Sequence, residues 1–158
     1  MANTASLCTS FLGELMTATH NFGVAPIRAA KTADTFKGAL YLASATYNAS
    51  TTAYSATGEV SGTNYTAGGV TVTNATVPAS TNTSATAGTA YWTPSASLTY
   101  TNVTLTTAFD TVLIYNSTQS NKAVGVFTFG SQTITAGTFT LTMPSNTTST
   151  ALVRLATT

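Results

Sequence analysis

The side chains able to do acid–base or nucleophilic chemistry are few: His20, Glu14, Asp34, Glu59, Asp110 and one thiol, Cys8. A nucleophilic triad would need a base, and His20 is the only histidine available for it. His20 falls at the end of a predicted helix, where a cation beside the last carbonyls is accounted for by the helix dipole. General acid–base catalysis needs positioned groups with tuned pKa values, and along the sequence none of these residues cluster. We therefore expect no enzymatic activity. Structural zinc needs several Cys and His ligands, no EF-hand spacing is present for calcium, and Asp110 reads as a turn residue ahead of a strand. No cofactor or metal is expected. Cys8, beside Leu7, reads as a buried apolar thiol, with a cross-link between copies as the alternative. The Asn-X-Ser/Thr sequons at Asn48, Asn64, Asn74, Asn82, Asn102, Asn116 and Asn146 read as a product of Ser- and Thr-rich composition.

At 158 residues the chain fits one domain, long enough to bury a continuous core. Only 6% of its residues are charged while 43% are hydrophobic, against roughly 25% charged in an ordinary soluble domain. Thr, Ser, Asn and Ala must therefore cover most of the surface. Such a surface repels its own copies weakly, which favours packing against itself or another protein. The net charge of +1 is spread along the chain, without the basic stripe that phosphate neutralisation requires, so nucleic acid is not an expected partner. The opening MANTASLCTSFLGELMTATHNFG has no basic n-region, and Glu14 interrupts its apolar positions. It reads as neither a signal peptide nor a membrane span, which implies synthesis in the cytoplasm and no membrane partner.

Two regions of organisation are expected, an N-terminal helix and arm over residues 1–35 and a β domain over residues 36–158. Leu7, Phe11 and Leu15 recur every four residues, the stripe of an amphipathic helix ending near Asn21 or Gly23. That stripe covers either the domain's own sheet or a partner. The arm VAPIRAAKTADTFK carries Arg28, Lys31 and Lys37, and it reads either as a solvated linker or as a mildly basic strap on an acidic partner. Strands are expected at Phe36–Ala43, at Val70–Val77 with a bulge near Asn74, at Thr89–Thr93, and at Ser97–Thr106 with a parity change between Tyr100 and Val103. A three-strand meander from Phe109 to Pro144 follows, turning at Asn116–Asn121 and reversing tightly at Gly130–Ser131, with Phe139, Leu141 and Met143 on its buried face. A short final run, ALVRLA, brings the total to about eight antiparallel strands, a jelly-roll or β-sandwich. The polar loop Pro78–Gly88 is expected to be exposed and mobile. The long connection holding Tyr47, Tyr54 and Tyr65 has a length uncommon unless functional, and Tyr gathers at interfaces; packing at the core edge is the alternative. The candidate partner interface is thus Leu7, Phe11, Leu15, Arg28, Lys31, Lys37, Tyr54 and Tyr65.

At TADTFKGALYLASATYNASTTAYSATGEVSGTNYTAGGVTVT and at FDTVLIYNSTQSNKAVGVFTFGSQTITAGTFTLTMP the sequence resembles a family of small Thr/Ala-rich virion proteins of tailed bacteriophages, the head decoration or cement proteins. The resemblance implies a jelly-roll or related subunit on the outer surface of an icosahedral capsid, clamping neighbouring major capsid protein subunits. It also implies a homodimer or homotrimer and no catalytic residues. A tail or tail-fibre component would share these features. So would a carbohydrate-binding β-sandwich, whose sign would be exposed aromatics such as Tyr91 and Trp92 on one face.

Overall fold

A computed structural model describes residues 3–16, 19–20, 22, 33–73, 76–81 and 88–156. In chain order the elements are β1 (Ser6–Leu7), α1 (Thr9–Met16), β2 (Phe36–Leu42), β3 (Val70–Thr71), β4 (Ala79–Ser80), β5 (Thr89–Trp92), β6 (Leu98–Asn116), β7 (Lys122–Leu141) and β8 (Val153–Ala156). The fold is all-β with antiparallel pairing. One sheet runs β1-β7-β6-β2-β3 and a smaller one β4-β5-β8.

The centre of the molecule is the β6–β7 hairpin, whose strands hold 19 and 20 residues. Its turn is polar, as expected, and Ser120 and Asn121 take positive φ there, which Asn tolerates through its short side chain. Asn116 closes the turn, its Oδ1 accepting the backbone N–H groups of Thr118 and Gln119 at 3.1 and 3.2 Å. The expected reversal at Gly130–Ser131 is not present. Gly130 lies within β7, and the ladder continues past it from Thr111↔Thr128 to Phe109↔Gln132. Likewise the two strands expected on either side of Thr106 are one strand. Gly and Ser permit a turn but do not impose one when an unbroken partner strand lies alongside.

What bends the hairpin is a run of register shifts between Tyr100 and Thr111, with Asn102 and Ala136 in left-handed backbone at φ 52° and 47°. The parity change expected between Tyr100 and Val103 coincides with the first of these bulges. Bulges sharpen strand bending and twist, so the far half of the hairpin (98–105 with 134–141) doubles back over β2. Tyr100 Oη donates to the Gly38 carbonyl at 2.8 Å, and Phe139 meets Phe109 edge-on at 5.2 Å and Phe129 at 5.3 Å. Gly38 allows this approach, because a Cβ there would sit 2.6 Å from Leu98 Cδ1. Gly69, at φ 72°, brings its own backbone against the Gly38 carbonyl, a conformation that disfavours any side chain.

The segment ahead of β2 packs into the same core. β1 pairs with Gly125 and Val126, and Asn3 Nδ2 donates to Asp110 Oδ1 at 2.9 Å. Phe11 is fully buried, and Phe22 stacks on Phe36 at 4.6 Å beside Trp92. A fully buried Phe contributes about 1.5–3 kcal/mol through apolar area removed from water, so these residues are integral to the domain. The strand expected over Val70–Val77 is confined to Val70–Thr71, and its bulge near Asn74 lies outside the described residues. The polar stretch from Pro78 contributes β4, paired with β5.

These positions give opposite expectations for two glycines. Gly38→Ala forces a methyl group into Leu98 and should cost about 1–3 kcal/mol by overpacking. Gly130→Ala, where the nearest atom to an added Cβ is 4.0 Å away, should leave the urea midpoint unchanged or slightly raised. A large loss at Gly130 would restore the reversal there.

Candidate functional site

The connection from 43 to 69 is a folded element, pinned by tyrosines around Glu59. Glu59 Oε2 accepts the Tyr54 hydroxyl at 2.7 Å, and Oε1 accepts both the Tyr65 hydroxyl and the Gly68 N–H at 2.7 Å. Tyr65 Oη in turn accepts the Leu40 N–H at 3.0 Å. Tyr41 and Tyr47 lie ring to ring at 3.8 Å, and both donate to loop carbonyls, Tyr41 to Ser55 and Tyr47 to Thr57. Tyr115 donates to the Gly68 carbonyl and stacks on Tyr54 at 4.8 Å. Short bridges tie the loop to β2 at Tyr41↔Glu59 and to the hairpin at Ala53↔Lys122 and Thr63↔Thr104. Burial pushes the hydroxyls of Tyr41, Tyr54, Tyr65 and Tyr100 well above the usual phenol range, with the Glu59 charge adding to the rise.

A second polar cluster joins the N-terminal segment to the hairpin turn. Glu14 bridges Lys122 Nζ and His20 Nε2, each at 2.6 Å. His20 Nδ1 lies 3.1 Å from Asn116 Nδ2, which also donates to Asp34 Oδ2 at 2.7 Å. Because Asn116 Oδ1 is committed to two backbone N–H groups, its NH2 must face His20, and Nδ1 must be the acceptor. The imidazole therefore carries its proton on Nε2 and donates it to Glu14. Both ring nitrogens are thus engaged by groups of the chain itself. Burial raises the Glu14 carboxyl, but the hydrogen bonds from Lys122 and His20, with the Lys122 charge, outweigh it and hold the group below its ordinary value. Cys8 is fully buried, and that burial, with the Glu14 charge, pushes its thiol up to about 11.

Of the interface residues expected from sequence, Tyr54 and Tyr65 converge on Glu59, while Leu7, Phe11 and Leu15 gather on the β7 side of the core. Phe11 is fully buried and offers nothing to a partner; Leu7 and Leu15 are half-buried against the core. Lys37 is half-buried on β2. Arg28 and Lys31 lie outside the described residues. Sequence reasoning passed over Glu59 and Asn116 as organisers. The signal for Glu59 was present as the lone acid in a tyrosine-rich connection, whereas nothing local marks Asn116. Among the described residues no three His, Cys, Asp or Glu side chains converge to hold a metal ion, and no helix is long and apolar enough to cross a membrane. An apolar slot of about 250 Å³ opens between the two halves of the hairpin, floored by Val112 and Ile114 and rimmed by Phe127, Phe129, Leu141 and Met143.

Compared with protein-family models, with curated proteins and with solved structures, the chain matches none.

Glu59→Ala strands three donors and should cost about 2–4 kcal/mol, since hydrogen bonds to charged groups are among the stronger ones; limited proteolysis should then cut between Tyr54 and Tyr65. The tyrosines make stability fall in alkali. Their folded pKa values are raised above the ordinary 10.0, so the contribution is complete below pH 10 and lost as pH climbs toward the folded values. Urea midpoints that stay level from pH 9 to 11.5 would contradict this burial.

Glu14 gives the opposite dependence. Its folded pKa is depressed, so its contribution is present above the ordinary carboxylate value of 4.5 and lost as pH falls through the lower folded value. Glu14→Gln should be less stable than the parent at pH 7, and the gap should narrow steadily as pH falls below 4.5. A gap that stays constant as the pH falls would remove the Lys122 ion pair from the account.

Proposed function

We propose that this chain is a non-enzymatic virion structural protein, a capsid decoration protein that binds the outside of an assembled shell and stabilises it. The observation that carries the reading is the fate of the acids. Glu14, Asp34, Glu59 and Asp110 are each held by hydrogen bonds within the chain. What faces outward along β6 and β7 is mostly Thr, with Ser131, Asn102, Gln132, two alanines and a glycine, and no charged side chain. A surface of hydroxyls and amides suits close packing on another protein by shape and hydrogen bonding, where steering by charge would be weak. The likeness in texture to bacteriophage head decoration proteins points the same way. In this reading the doubled-over sheet is a jelly-roll or β-sandwich variant, the partner is the major capsid protein, and the location is the virion exterior.

Binding many copies to the assembled shell and not to free subunits stabilises the shell by linkage, even when each contact is on the order of 1,000 Å². The arm carrying Arg28 and Lys31 supplies the charged part of the contact, and the outer side of the Tyr54–Tyr65 loop the neutral part. A carbohydrate-binding reading would need exposed aromatics, and Trp92 is buried beneath Phe22 with its Nε1 donating to the Thr76 carbonyl.

The test is cosedimentation with empty shells of the major capsid protein encoded in the same genome. The chain should pellet with shells, stay in solution with unassembled subunits, and raise the melting temperature of the shell. Arg28→Ala with Lys31→Ala should weaken binding several-fold and flatten its salt dependence. Recovery of the chain in purified tails with no binding to shells would replace this reading with a tail component.

A further inference from the structure

We propose that His20 is a pH switch on the hairpin turn: a proton added to its Nδ1 displaces the Asn116 carboxamide and takes the cap off the turn. The imidazole side chain is fully enclosed, with Phe11 edge-on at 5.0 Å and Phe36 stacked at 6.3 Å. Glu14 of α1 takes the Nε2 proton, and Asp34, ahead of β2, lies behind the Asn116 amide. Lys122 of β7 and Cys8 reach the ring through Glu14. These are the charged and titratable groups around it among the described residues.

The Asn116 amide is the part that cannot tolerate a second proton on the ring. Its Oδ1 accepts the Thr118 and Gln119 N–H groups, one Nδ2 hydrogen goes to Asp34 Oδ2, and the other goes to His20 Nδ1. An imidazolium has donors on both nitrogens and no acceptor, so N–H would face N–H. Nδ2 stands 3.1 Å from Nδ1 and 2.7 Å from Asp34 Oδ2, so the imidazolium reaches that carboxylate only when the amide leaves. Turning the amide over offers Oδ1 to the ring but sets NH2 against the two backbone N–H groups. Moving it aside lets the ring donate to Asp34 and empties the cap as well. In both cases the turn loses its acceptor. The opposing pull is electrostatic, because Glu14 and Asp34 flank the ring and a buried cation is tolerated when it is paired. Two arrangements of the same side chains thus compete, a neutral ring with a capped turn and a charged ring with an open one, and one proton from solvent decides between them. The change extends past the turn, since the Asn121 carbonyl accepts the Tyr54 N–H at 2.9 Å. It holds whether or not the chain binds a shell.

His20 is the single histidine of the chain, so nitrogen-15 NMR reads its ring without ambiguity. At pH 7.5 the ring should be the Nε2–H tautomer. On titration to pH 5, where the Glu14 carboxyl, held below the ordinary 4.5, is still ionised, the ring nitrogens and the Thr118 and Gln119 amides should shift with one midpoint. Exchange of those two amides, corrected for its intrinsic pH dependence, should rise about tenfold, the equivalent of one hydrogen bond lost. The amides of Leu40 and Val112, inside the sheet, should keep their protection. In His20→Gln, which has no titrating ring, Thr118 and Gln119 should hold constant over the same range. An Nδ1–H tautomer at pH 7.5, a ring still neutral at pH 5, or a ring that titrates while the two turn amides do not, would each overturn the proposal. Protection lost at Leu40 and Val112 in step with the turn would mean unfolding of the whole domain and overturn it too, as would a turn that still titrates in His20→Gln.

Discussion

The β6–β7 ladder is the constraint on which the rest of the structure depends. Strands of 19 and 20 residues cannot stay flat, because each pair of neighbours is rotated by roughly 20–25° and the twist accumulates along the ribbon. The bulges between Tyr100 and Thr111 concentrate that curvature in one place. The hairpin then covers itself and β2 instead of exposing a long face. Phe109, Phe129 and Phe139 come together only because of this bend, although Phe109 and Phe139 belong to different halves. The narrow fit at Gly38 follows from the same geometry, since β2 lies under the returning half.

Polar groups inside this core are matched with little redundancy. Glu59 serves two tyrosines and a backbone amide, and Asn116 satisfies two backbone donors while presenting its NH2 to His20 and Asp34. Leaving a buried donor unmade costs more than making the bond gains, so such hubs fix conformation more strongly than they add net stability. A connection that would otherwise be a long irregular loop is thereby held against β2 and the hairpin tip. The N-terminal segment is held in the same way, through Glu14 and His20 as well as through Phe11 and Phe22.

Using the acids internally shapes the outside. The described surface of the hairpin meets water with hydroxyls and amides, which hydrate well but repel other proteins weakly. Its β7 side ends in an open apolar slot.

The sequence by itself determined the alternation that makes strands, the polar turn at Asn116–Asn121, the parity change between Tyr100 and Val103 and the burial of Cys8, because each depends on neighbours a few residues apart. It also held the small inventory of ionisable groups. Tertiary structure decided the rest. Gly130–Ser131 reads locally as a reversal, yet β7 passes it as a bulge between Thr111↔Thr128 and Phe109↔Gln132 and goes on pairing with β6, and strand continuity is a property of the pair and not of either segment. Phe11 has the same local stripe whether it faces a partner or its own sheet, and only the position of β7 chooses between them. His20 and Asn116 lie far apart in the chain, and Glu59 depends on where Tyr54, Tyr65 and Gly68 come to rest. No short-range periodicity encodes such convergence, because it arises from how the bent hairpin brings distant turns to one place.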